Sequence, residues 1–107
     1  MGISTHILDV ARGKPAVGVP VRLYDRADIV IGEGTTDTDG RVKGLLVEGL
    51  KAGRYRVHFE TSAYFATQGI AGLYPYVDIV FTAAPGEAHY HIPLLLTANG
   101  YSTYRGS

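Results

Sequence analysis

The chain has 107 residues, with no cysteine, no tryptophan and a single methionine. Without thiols there is no disulfide, no thiolate nucleophile and no Cys-ligated zinc or iron–sulfur centre. The usual staple of small secreted domains is also missing, so stability has to come from a core. Net charge is absent as well: ten Lys and Arg face ten Asp and Glu. With no basic excess to hold a phosphate backbone, the chain is not expected to bind nucleic acid. A neutral surface resists self-association less, which makes an oligomer plausible. No apolar run approaches the roughly 18 residues needed to cross a bilayer. Nor does a basic stretch lead into the apolar run of about 7–15 residues typical of a secretory leader. The expectation is a soluble cytoplasmic protein with no membrane partner.

Apolar side chains are plentiful. Leu, Ile, Val and Phe supply 29 of the 107 residues, above the roughly 20% below which chains remain disordered. The length suits one domain, residues 1–107. Fourteen Gly and five Pro divide the chain into short segments. Ile3–Val10 is β-branched and apolar. Val19–Tyr24 alternates, with Val19, Val21 and Leu23 on one face, and Arg54–Thr61 alternates with Tyr55, Val57 and Phe59. Period-two patterning marks half-buried strands. Ile29–Thr36 carries Gly32 and Gly34, as expected of a bulge or an edge. Asp37-Thr38-Asp39-Gly40 is a turn, followed by a strand over Arg41–Val47. Tyr76–Thr82, His89–Thr97 and Tyr101–Arg105 complete the set. Ser62–Gly69 opens with Ser or Thr as a cap and ends in Gly, predicting one helix of about two turns. Tyr55 is placed for a corner hydrogen bond. Turn signals every 8–12 residues or so, with no long helical period, predict an all-β sandwich.

The histidines carry the chemical information. Along His89–Thr97, Tyr90, Ile92, Leu94 and Leu96 form a continuous core face, so His89, His91, Pro93 and Leu95 face outward. In the first strand His6 and Leu8 lie opposite Ile7 and Asp9. If the strands bearing His6, His91 and Tyr104 are neighbours, they present a mixed polar and apolar patch of a kind few monomers expose without a use. A neutral imidazole can take a proton from water, and a second imidazole or a phenol can protonate a departing nitrogen. An arginine can stabilise the oxyanion, and Arg41 follows the Asp39-Gly40 turn. The bland alternative for Arg41 is a solvated surface cation. His58, among Arg54, Arg56 and Glu60, is given no role. The His89-x-His91 spacing also suits zinc, with His6 as third ligand, but only Asp9 and Glu87 are near in sequence to support such ligands. No metal or cofactor is therefore expected. No Ser–His–Asp set or phosphate-cradling Gly loop is legible.

Four stretches together resemble the 5-hydroxyisourate hydrolases, the transthyretin-like enzymes of urate degradation. They are Ser4-Thr5-His6-Ile7-Leu8-Asp9, Gly40-Arg41, His89-Tyr90-His91-Ile92-Pro93-Leu94-Leu95-Leu96 and Tyr101-Ser102-Thr103-Tyr104-Arg105-Gly106-Ser107. The similarity spans essentially the whole chain. Tyr-Arg-Gly-Ser is its most specific element, and Thr97-Ala98, where the family often has Ser-Pro, departs from it at a turn. The resemblance implies a transthyretin-like Greek-key sandwich of two four-stranded sheets with one short helix. It implies a homotetramer, a dimer of dimers, and hydrolysis of the ring C–N amide bond of 5-hydroxyisourate to 2-oxo-4-hydroxy-4-carboxy-5-ureidoimidazoline. By position it implies catalytic roles for His6, Arg41 and His91 and substrate contacts from Tyr104, Arg105, Gly106 and Ser107. One of His6 and His91 would activate water, with His91 favoured. Two other readings stand beside it. A transthyretin-like carrier would lack the terminal Tyr-Arg-Gly-Ser and hold other residue types at positions 6, 41 and 91. A purely structural module would leave both chain ends unexplained.

Overall fold

Period-two segments become strands wherever one face can be buried. The computed structural model describes residues 2–107, which form nine strands and one helix. In chain order these are β1 (Ile3–Asp9), β2 (Lys14–Pro15), β3 (Pro20–Tyr24), β4 (Val30–Thr35), β5 (Arg41–Leu46) and β6 (Gly53–Phe59), then α1 (Thr61–Ala66), β7 (Val77–Ala83), β8 (Tyr90–Thr97) and β9 (Gly100–Thr103). The first sheet places β1 beside β8 in parallel, with β9 antiparallel on the far side of β8. The other edge of β1 is divided between β5, which pairs around Ile3–His6, and β2, which pairs at Leu8 and Asp9. This sheet is four strands wide, as expected, although five strands build it. The second sheet runs β4-β3-β6-β7, antiparallel throughout.

The inner faces meet in one apolar cluster that includes Ile3, Ile7, Leu23, Val57, Phe59 and Leu94. Burying side chains of this size stabilises by about 1.5–3 kcal/mol each. Tyr55 makes the expected corner, donating from its hydroxyl to the Lys51 carbonyl at 3.0 Å and accepting from the Lys51 N–H at 3.1 Å. β4 is an edge strand with a register shift at the Leu23/Tyr24 step, and its glycines make room for β5: a Cβ on Gly32 would collide with the Leu45 carbonyl oxygen, and one on Gly34 would lie 2.8 Å from Val42 Cγ1.

The helix departs from expectation at its start. It begins at Thr61, and the cap position falls on Glu60, which makes no side-chain capping bond. Thr61 is fully buried and its Oγ1 has no partner, so packing rather than capping places this end. Tyr64 anchors the helix to β1 by donating to Asp9 Oδ2 at 2.6 Å. Burial and the Asp9 carboxylate push the Tyr64 hydroxyl pKa upward. Asp9 is buried on the core side and also accepts the Arg12 N–H at 3.2 Å. It is therefore a structural carboxylate with no part in the histidine face.

Candidate active site

On β1 the buried residues are Ile3, Thr5, Ile7 and Asp9, leaving Ser4, His6 and Leu8 half-buried on the outer face. On β8 His91 and Leu95 share that outer face, while Tyr90, Ile92, Leu94 and Leu96 enter the core. The alternation expected from sequence holds throughout β1 and in β8 except at Pro93, which was expected on the exposed side and is buried. Register then does what sequence alone does not. The parallel pairing sets Ser4 opposite His91, and the antiparallel pairing sets His6 opposite Arg41. Directly opposed residues on one face have Cβ atoms about 4.5–5.5 Å apart.

Arg41 reaches this register through two devices. Between Ile3/Leu46 and Thr5/Val42, two steps along β1 are matched by four along β5. Such a bulge bends the strand and re-aims the side chains beyond it. The preceding turn is held by Asp37, whose Oδ1 accepts the N–H groups of Asp39 at 2.9 Å and Arg41 at 3.0 Å. The Arg41 N–H is the main reason the Asp37 carboxyl pKa lies below its ordinary value. Gly40 takes φ +73°, and a Cβ there would fall 2.5 Å from the Ile7 carbonyl oxygen. That close approach lets the Gly40 carbonyl accept the Ile7 N–H at 2.8 Å, next to His6.

The C-terminal segment closes the other side. Gly106 donates its N–H to the His91 carbonyl at 2.8 Å. A Cβ on Gly106 would collide with His91 Cδ2 and sit 3.1 Å from Cγ, so only glycine fits against the ring. Ser4, His6, Arg41, His89, His91, Tyr104, Gly106 and Ser107 line a concavity of about 410 Å³. That is within the usual range for small-molecule sites. Arg105 turns elsewhere. Its guanidinium lies 4.2 Å from the Tyr90 ring centroid and 3.5 Å from Glu87 Oε2, and it donates to the His89 carbonyl at 3.4 Å. It braces the segment from behind.

Arg41 forms no ion pair among the described residues, so its guanidinium is available to a ligand. The His91 pKa is lowered from its ordinary value, first by burial and then by the positive charge of Arg41, with His6 and His89 adding to it. Both causes favour the neutral ring, the state in which it accepts a proton. Ser4 Oγ lies 2.9 Å from His91 Nδ1 and 2.9 Å from His89 Nε2. Sequence alone assigns Ser4 no role of its own, although its position two residues before His6 puts it on the same face. The three imidazoles form no metal-ligating cluster among the described residues. His58 is far from this site, on the outer face of the second sheet. Its nitrogens lie 2.7 Å from Asp78 Oδ1 and 2.9 Å from Glu60 Oε1, and its side chain is only 15% exposed. It is clamped by two carboxylates on the second sheet and takes no part in the histidine face, in keeping with the absence of any role expected for it from sequence.

Fold and site together define a transthyretin-like β-sandwich with an imidazole–guanidinium pocket on the outer face of one sheet. The chain belongs to the HIUase/Transthyretin family, whose sequence model matches residues 3–106. It is 45% identical to the 5-hydroxyisourate hydrolase of Salmonella typhimurium, over 98% of this chain and 80% of that protein. Among solved structures, Klebsiella pneumoniae 5-hydroxyisourate hydrolase superposes with a TM-score of 0.89 at 40% identity, covering 98% of this chain and 97% of that one. Sea bream transthyretin in complex with thyroxine also gives 0.89, at 34% identity, covering 97% of this chain and 93% of that one. Equal scores for a hydrolase and a thyroxine-bound protein mean that the backbone does not choose between activities. Function has to be argued from the site.

Proposed function

We propose that this chain hydrolyses 5-hydroxyisourate at its ring C–N amide bond, giving 2-oxo-4-hydroxy-4-carboxy-5-ureidoimidazoline. One observation carries the reading: His6, Arg41 and His91 line a single concavity in which the guanidinium has no carboxylate partner. A carrier has no need of a neutral proton acceptor beside a free cation. Hydrolysis needs both, because water must lose a proton as it attacks and the carbonyl oxygen becomes negative. His91 takes the proton from water, and the water oxygen bonds to the ring carbonyl carbon. Arg41 stabilises the resulting oxyanion. The C–N bond then breaks, and the departing nitrogen receives its proton from His91 or His6. The products are a ureido group and a carboxylic acid, which ionises to the carboxylate by releasing its proton to solvent. Tyr104, Gly106 and Ser107 hydrogen-bond the flat, carbonyl-rich substrate, and Arg105 holds their backbone in place.

The assembly that fits this reading is a homotetramer, a dimer of dimers, in which the outer face of one first sheet covers that of another and encloses the pocket. The test is spectroscopic. With 5-hydroxyisourate generated in situ from urate, the protein should accelerate its ultraviolet decay. His91→Ala and Arg41→Ala should each lower kcat by about 10²-fold or more, and His6→Ala should also slow the reaction. Unaltered decay in all three variants would remove the site. Binding without turnover would favour the carrier.

A further inference from the structure

The base in a hydrolytic site is normally oriented by a third group, most often a carboxylate. Here no carboxylate takes that place. Asp9 points into the core against Tyr64, and Glu87 pairs with Arg105. The hydroxyl of Ser4 occupies the position instead, 2.9 Å from His91 Nδ1. Behind it stands a second imidazole, with His89 Nε2 at 2.9 Å from the same oxygen. We propose that Ser4 and His89 form a hydrogen-bonded relay that fixes the tautomer of His91 and shares the positive charge it acquires during the reaction.

A serine hydroxyl has one proton, and a neutral imidazole has one N–H. Two orders are therefore open to the chain. In one, His91 Nδ1–H donates to Oγ, and the hydroxyl donates to His89 Nε2. His91 Nε2 then keeps its lone pair for a water molecule. In the other, all donors reverse and His91 presents an N–H to the concavity, where it cannot act as a base. Arg41 lines that concavity and has only donors. Its positive charge favours the first order, with the lone pair turned toward it.

The same line of atoms can move charge. When Nε2 takes a proton from water, the Nδ1 proton shifts to Ser4 Oγ and the hydroxyl proton shifts to His89 Nε2. The cation then rests on His89, which is exposed to solvent, instead of on a half-buried ring facing Arg41 and His6. When the C–N bond breaks, the Nε2 proton goes to the leaving nitrogen and the two shifts reverse. No proton is gained or lost by the relay over the cycle. Ser4 and His89 are positioning residues in this scheme, and their role rests on the hydrolytic reading above.

Histidine ¹⁵N spectroscopy of the labelled protein, recorded on the alkaline side of the imidazole titrations, tests the relay without substrate. His91 should be the Nδ1–H tautomer in the wild type and should shift toward Nε2–H in Ser4→Ala and in His89→Phe. Ser4→Thr, which keeps the hydroxyl, should retain the wild-type pattern. In the decay assay Ser4→Ala should lower kcat by about tenfold, within the range typical of lost orienting partners, with KM nearly unchanged. The Ser4→Ala/His89→Phe double variant should be no slower than Ser4→Ala. An Nε2–H His91 in the wild type, a tautomer insensitive to both substitutions, or additive losses in the double variant would overturn the relay. Tautomer coupling in a protein that does not accelerate decay would support the relay while removing the hydrolytic reading.

Discussion

At the residue scale, Arg41 and His91 are coupled through charge. Positive charge at Arg41 disfavours a second positive charge on His91, so the ring stays neutral to a lower pH than a free imidazole. Activity that requires the neutral ring is lost as pH falls through this lowered pKa. Burial is the larger cause of the shift and survives substitution at position 41. Arg41→Gln should therefore return His91 only part of the way toward its ordinary value. The acid limb of the kcat/KM profile should move to higher pH, while the plateau falls by about 10²–10³-fold through loss of oxyanion stabilisation. An NMR titration of the His91 ring checks the first half independently of turnover. A His91 titration that stays in place, or moves to lower pH, would show that Arg41 does not act on the ring. The direction of this coupling could be anticipated from residue types, but the contact could not, because 50 residues of chain separate the two side chains and only the shared neighbour β1 joins their strands.

At the scale of elements, the strands were legible where they alternate against a core. β1 and β8 show their outer faces in sequence because a one-residue slip would send every side chain to the wrong side. The division of one sheet edge between β2 and β5 was not legible, since it depends on a bulge that only the pairing reveals. The true start of the helix and the Asp78 carboxylate beside His58 were hidden because each depends on contacts between separate segments, whereas Glu60, two residues from His58, stood in plain view. The C-terminal segment lies between these cases. Its Gly106 was recognisable as part of a motif, yet the need for glycine comes from the His91 ring against which it lies. Gly106→Ala should leave the thermal midpoint nearly unchanged, because the segment packs at an edge. It should displace either the ring or the segment and lower kcat by about 10²-fold, the loss expected from a misplacement of roughly 1 Å. Equal turnover at equal stability would show that this contact does not position the base.

At the scale of the molecule, each sheet ends in an exposed strand on the same flank, β9 for the first and β7 for the second. Between them Ile79, Val80, Phe81, Thr103 and Tyr104 line a shallow, mostly apolar hollow. Val80 is 58% exposed and Tyr101 41%. Soluble proteins normally blunt such edges with Pro, Lys or a covering loop. Neither β7 nor β9 contains Pro or Lys, so their unpaired backbone groups are open to another copy. A twofold axis through this flank would pair β9 with β9 and β7 with β7 and extend both sheets. The outer face bearing His6 and His91 stays free in that dimer, and two dimers stacked through it account for the proposed tetramer. Sedimentation equilibrium of the wild type should give about four times the chain mass of 11.5 kDa. Tyr101→Lys places a charge on the open edge and should shift the population to smaller species. Its turnover should fall in parallel, because the pocket loses the covering face. A wild type that sediments at the mass of one chain and is fully active would show that a single protomer encloses enough of the pocket to work, and that the open edges serve no assembly.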